Sequence, residues 1–212
     1  MDTTVLIPAY NEAANLEAVV AAAVKAGFPV VVADDGSTDD TALVAQRAGA
    51  KVIRLPENRG KGGAIAYGLQ HVQTPYLLLL DADLVGIQTR HLLDMLEPVR
   101  QGRLEMAIGV FRSGGFMTDF GNRATPFLSG QRACQTEWLR SVPNLTDHRW
   151  PEPPITDHLE RTKARWAYVE LRGASQIMKE QKRGFLKGLA YRLKMYYELI
   201  MYRFRRQTGK SG

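Results

Sequence analysis

The 212 residues carry 28 Lys and Arg against 22 Asp and Glu, a net charge of +6, and 45% of them are hydrophobic. That is the composition of a globular chain long enough to bury a core, and the single cysteine, Cys134, excludes an internal disulfide and a cysteine-built metal site. The positive charge is localised: residues 178–206 hold nine Lys and Arg against Glu180 and Glu198, and the rest sums to −1, which points to one basic surface and not to a nucleic-acid binder.

In chain order, Met1-Asp2-Thr3-Thr4 shows no secretory-signal pattern and leads straight into a strand over Thr3–Ile7. No apolar run approaches the roughly 20 residues that span a bilayer, so the expected compartment is the cytoplasm. Asn11 is placed to cap a helix over Glu12–Lys25 with Leu16, Val19, Val20 and Ala23 on one face. Val30–Ala33 reads as a strand, Thr41–Ala48 as a helix, Lys51–Leu55 as a strand, Gly62–Val72 as a helix and Tyr76–Leu80 as an apolar central strand. This alternation predicts a mostly parallel sheet with right-handed crossovers, whose ligands bind outside the carboxyl ends of the strands.

Beyond it, Thr89–Val99 reads as a helix, Glu105–Phe111 as a strand, 112–126 as a glycine-containing loop and Gln131–Arg140 as a helix. Pro143, Pro151, Pro153 and Pro154, with Pro126 upstream, predict a stiff, irregular stretch over 141–157, and Arg165–Leu171 reads as an edge strand. Over 182–206, Leu186, Leu189, Leu193, Tyr197, Ile200 and Phe204 recur at helical spacing among basic residues. That segment is expected to be a long amphipathic helix that packs back on the domain, forms a homodimer, or rests on anionic lipid as a peripheral membrane contact.

Four polar clusters fall at the ends of consecutive strands: Pro8-Ala9-Tyr10-Asn11-Glu12, Asp34-Asp35-Gly36-Ser37, Asn58-Arg59-Gly60-Lys61-Gly62 and Asp81-Ala82-Asp83. Strand ends on one edge of a parallel sheet lie close together, so the clusters are expected to line one cleft. Tyr10 can pack on a nucleoside, Asp35 can accept hydrogen bonds from a base or ribose, and Lys61 can neutralise negative charge or contact the base. Asp81 and Asp83 can hold a divalent ion such as Mn2+ or Mg2+, which needs only one or two carboxylates beside substrate phosphates.

These segments, in this order, resemble the family 2 glycosyltransferases with a GT-A fold, strongly over residues 3–84. The resemblance implies a GT-A (Rossmann-like) mostly parallel sheet flanked by helices. Residues 1–178 would form the catalytic domain, with a nucleotide-sugar-binding half over 1–100 and an acceptor-side half over 101–178, and 179–212 a basic C-terminal helix and tail. It implies a metal-dependent, inverting transfer of a sugar from a UDP- or GDP-linked donor. Pro8, Tyr10, Glu12, Asp35, Lys61, Asp81 and Ala82 would bind the donor, and Asp81 and Asp83 the metal.

Phe111-Arg112, Leu128-Ser129-Gly130-Gln131-Arg132-Ala133 and the segment Gly173–Lys182 look like the polyprenyl-phosphate sugar transferase subgroup. Arg112, Arg132 and Lys179 would then converge on phosphate, and the acceptor would be a polyprenyl phosphate or another membrane lipid. A small soluble phosphorylated acceptor, or a nucleotide-sugar-binding protein without catalysis, is the alternative. The chain departs from the family pattern at two places. The acidic residue that relatives carry before the last strand has its nearest equivalent in Trp150-Pro151-Glu152, making Glu152 the expected general base and Asp157 the alternative. The further metal ligand of many relatives meets Val85 at one place and Gln176 at the other, making Gln176 the expected third ligand.

Overall fold

The computed structural model describes residues 1–112, 129–147 and 150–176. The expected helix over 182–206, the boundary at 178 and Lys179 lie outside them. Seven strands form the main sheet: β1 (Thr3–Ala9), β2 (Val30–Asp34), β3 (Lys51–Arg54), β4 (Tyr76–Leu79), β6 (Met106–Arg112), β7 (Arg132–Gln135) and β8 (Trp166–Arg172), in the order β3-β2-β1-β4-β7-β6-β8. β1 pairs in parallel with β2 and β4, and β2 with β3. β7 runs antiparallel between β4 and β6, and β8 returns parallel to β6. A second ladder joins β5 (Leu84–Val85) to β9 (Ser175–Gln176).

Period-two alternation sends successive side chains to opposite faces of the sheet. Val5, Ile7, Val30, Val32 and Leu78 go to a core shared with α1 (Leu16–Lys25) and α4 (Thr89–Arg100), while Leu6, Val31, Ala33, Leu77 and Leu79 go to the other. That second core receives Ala64, Ile65 and Leu69 of α3 (Gly60–Leu69), Leu139 of α5 (Thr136–Arg140), and Ile155 and Leu159 of α6 (Glu152–Thr162). α2 (Thr41–Arg47) follows β2. The strand order reverses at β1 and β4, which opens a crevice at their carboxyl ends.

Three local expectations change. The first helix starts at Leu16, not Glu12. Asn11 has a left-handed backbone (φ 54°), and its side chain accepts from the Thr38 N–H at 2.9 Å, so it ties the first strand-end loop to the second and caps nothing. Residues 131–140 split into β7 and α5. Arg132, Ala133 and Cys134 are all buried because the strand inserts between two others, which erases the alternation that marks a half-exposed strand.

The proline-rich stretch is helical from Glu152 onward. Pro153 and Pro154 sit in the first turn of α6, where N–H groups have no intrahelical partner and proline costs nothing in hydrogen bonding. Among the described residues no helix is long and apolar enough to cross a membrane.

Candidate active site

The loops after β1 and β2 are laced together. The Ser37 hydroxyl accepts from the Asn11 N–H at 3.0 Å, and the Thr41 hydroxyl from the Glu12 N–H at 2.8 Å. Pro8 is buried in β1, and Glu12 accepts from the Asn15 amide at 3.1 Å. Tyr10, just past the strand, is 40% exposed at the rim of the crevice. Asp35 is buried, and its Oδ1 accepts from the Arg59 N–H at 2.7 Å at the start of α3. Gly36 makes this approach possible: it takes φ +75°, and a β-carbon there would stand 3.2 Å from the Asn58 nitrogen.

Asp81 and Asp83 follow β4 and are both buried, with Ala82 between them turned into the core. Lys61, in the first turn of α3, reaches across with its Nζ 2.6 Å from Asp81 Oδ1 and 2.5 Å from Glu152 Oε1. Glu152 comes from the first turn of α6, where a carboxylate also suits the helix dipole. Burial works against the Lys61 ammonium, but the Asp81 and Glu152 carboxylates outweigh it and raise its pKa above the usual lysine value.

The second ladder delivers Gln176, whose Nε2 donates to Asp83 Oδ1 at 2.7 Å and to Asp81 Oδ2 at 3.2 Å. The two carboxylates therefore converge on one point. That point suits a hard divalent cation, since both carboxylates offer oxygen and a half-turn of the Gln176 amide would present its oxygen as well. Among the described residues no group of three or more His, Cys, Asp or Glu could hold a metal alone, so Asp81, Asp83 and Gln176 are the residues that would hold one here, with substrate phosphates completing the sphere.

Two neighbours were not singled out from the sequence as site residues. Gln131 is buried, donates to Asp81 Oδ2 at 3.1 Å, and leaves its own Oε1 without a hydrogen-bond partner among the described residues. Gly130 lies against the same carboxylate: a β-carbon would meet both Asp81 oxygens at 2.5 Å and Lys61 Nζ at 2.6 Å. The only sequence signal for either was their place in the Leu128–Ala133 segment.

The remaining candidates sit apart from this cluster. Arg112 ends β6 half exposed and pairs with Glu170 at 2.9 Å. Arg132 is buried within β7, its Nε donating to the Ser129 carbonyl at 3.2 Å. Burial holds its pKa below the usual guanidinium value, with Glu152 the strongest opposing influence. Asp157 is half buried, five residues along α6 from Glu152 and so about 140° around the helix axis.

The family model for glycosyl transferase family 2 matches residues 4–160, spanning the crevice and every element that builds it up to α6. The chain belongs to glycosyl transferase family 2. Within the family it is similar to an uncharacterized glycosyltransferase of Mycobacterium tuberculosis, 45% identical over 80 residues, 38% of this chain and 36% of that relative. It is also similar to a dolichyl-phosphate beta-glucosyltransferase of Drosophila melanogaster, 37% identical over 101 residues, 39% of this chain and 31% of the relative. These matches thus span about a third of each relative's length.

Among solved structures, glucosyl-3-phosphoglycerate synthase from Mycobacterium tuberculosis, in complex with Mn2+, UDP-glucose and phosphoglyceric acid, superposes with a TM-score of 0.67 at 24% identity, covering 82% of this chain and 71% of that one. At this identity the likeness is one of fold, and the fold is GT-A.

Proposed function

We propose that the chain transfers a sugar from a UDP- or GDP-linked donor to an acidic acceptor, with Mn2+ or Mg2+ held by Asp83, Asp81 and Gln176. The observation that carries this reading is the convergence of the Asp81 and Asp83 carboxylates on one point at the carboxyl ends of β1 and β4. The cation, when bound, would neutralise charge developing on the leaving diphosphate. Tyr10, Pro8, Glu12 and Asp35 would receive the nucleoside from the laced loops, and Lys61 would add positive charge on the diphosphate side.

Glu152, ion-paired to Lys61, is the base for a hydroxyl acceptor. Asp157 is the alternative, and its placement away from the Lys61–Asp81 cluster favours Glu152. A phosphate acceptor arrives ionised and needs no base. We favour a polyprenyl phosphate, supported by similarity to a dolichyl-phosphate beta-glucosyltransferase and by the basic sequence of 179–206, with Arg112, Arg132 and Lys179 as the phosphate-side residues. The glucosyl-3-phosphoglycerate synthase likeness supports the rival reading, a soluble phosphorylated acceptor.

A thermal-shift panel of nucleotide-sugars with Mn2+ or Mg2+ identifies the donor, and transfer of labelled sugar to polyprenyl phosphate or to phosphoglycerate then separates the acceptors. Asp83→Ala is expected to lower transfer by at least about a hundredfold while leaving the fold intact. Donor binding by the wild type without turnover on any acceptor would instead make the chain a binding protein.

A further inference from the structure

We propose that Lys61 is a built-in competitor of the divalent cation: its ammonium occupies Asp81 and has to give that carboxylate up before a metal ion can be bound through it. The inference rests on the assignment of Asp81 and Asp83 as cation ligands and adds to it how the site is loaded.

The Asp81 carboxylate is already saturated with donors. Oδ1 takes the Lys61 ammonium at 2.6 Å, and Oδ2 takes the amides of Gln131 at 3.1 Å and Gln176 at 3.2 Å. The ammonium is anchored from the far side by Glu152 Oε1 at 2.5 Å. Gly130 closes the space beside the pair, since even one added carbon there would collide with both partners. The ion pair is therefore a packed part of the site, and a solvated lysine would not be held this way.

A divalent ion on Asp81 would lie within a few ångströms of the Lys61 ammonium, and in a partly buried site two positive charges that close repel strongly. The cation alone gains little, because it must displace an existing positive charge from the same carboxylate. A diphosphate arriving with it changes the balance: its negative charge gives the ammonium a new partner. Each ligand thereby strengthens the other's binding, which is positive coupling between metal and donor. Glu152 keeps its contact with Lys61 through the exchange.

The test is Mn2+ binding to the chelator-treated full chain, read by electron paramagnetic resonance in the absence of nucleotide. Lys61→Met is expected to bind Mn2+ about tenfold or more tightly than wild type, whereas Lys61→Arg, which keeps the charge, stays close to wild type. Addition of UDP is expected to tighten Mn2+ binding more for wild type than for Lys61→Met. Equal Mn2+ affinity of wild type and Lys61→Met, or equal tightening by UDP, overturns the proposal.

If Lys61→Met does not fold alone, Mn2+ alone is expected to restore its far-ultraviolet circular dichroism, and failure to do so overturns the proposal equally. The two readings part cleanly. A wild type that binds a nucleotide-sugar with Mn2+ alongside a Lys61→Met variant with no gain removes only the competitor role. A gain in Lys61→Met alongside a wild type that binds no nucleotide-sugar keeps the competitor role and removes the transferase reading.

Discussion

Asp81 shows how much a single side chain can organise. Its two oxygens take donors from α3, from the segment before β7 and from β9, three parts of the chain 61, 131 and 176 residues from the start. Gly130 is the residue that lets them meet. Gly130→Ala is expected to push Asp81 and Lys61 apart, costing about 1–3 kcal/mol of stability and at least about tenfold in transfer; denaturant midpoints and turnover on the same preparation check both. The sequence pointed to Asp81, Asp83, Lys61, Glu152 and Gln176 as candidates, and the structure places these five in mutual contact through Lys61 and Gln176. It did not point to Gly130 or Gln131, because a glycine's part in a site is a matter of space and a buried amide's is a matter of partners, and neither leaves a mark on composition or period.

Elements place these side chains, and their placement depends on packing at a distance from the crevice. α3 carries Lys61 at one end and Gly68 near the other, where a β-carbon would meet Leu6 Cδ1 at 2.5 Å and the Ala33 β-carbon at 3.2 Å. Gly68→Ala is expected to lift the helix from β1 and β2, lowering stability by about 1–3 kcal/mol and shifting Lys61 away from Asp81. Urea unfolding measures the first effect, and loss of the Mn2+ response of the melting temperature the second. The helices with a clear apolar face were legible: α1 buries the four residues its spacing marks, Leu16, Val19, Val20 and Ala23. β7 and α6 were not. One is buried on both faces, and the other begins in prolines that read as a break until their first-turn position is known.

At the scale of the whole molecule, two buried histidines set the response to acid. His91 accepts from the Gln88 N–H at 3.2 Å through Nδ1 and faces the Arg172 carbonyl at 3.1 Å through Nε2. His158 lies 2.9 Å from the Ser141 hydroxyl and packs on Trp138. Burial disfavours both imidazolium forms, Arg90 adds to this at His91 and Arg161 at His158, and both pKa values fall below the usual 6.5. The unfolded chain then takes up protons at a higher pH than the folded one. Their contribution to stability is therefore complete above about pH 6.5 and is lost as pH falls below it. Melting temperature followed from pH 8 to 5 is expected to decline below that point, and His91→Gln to flatten the decline. His91 also secures the Arg172 end of the turn that brings Gln176 to the site, so the acid-labile contact lies beside a working part.

The sequence by itself determined the alternation of strands and helices, the parallel sheet and the four polar clusters at its carboxyl edge. These follow from local periodicity and turn chemistry, which each segment carries on its own. Only the tertiary structure decided that Lys61 binds Asp81 and Glu152 together, that Gln176 bridges both aspartates from a separate ladder, and that Gly130 and Gln131 close the site. Those facts depend on which distant segments the sheet order and helix packing bring within hydrogen-bond reach, and no local stretch of residues encodes that distance.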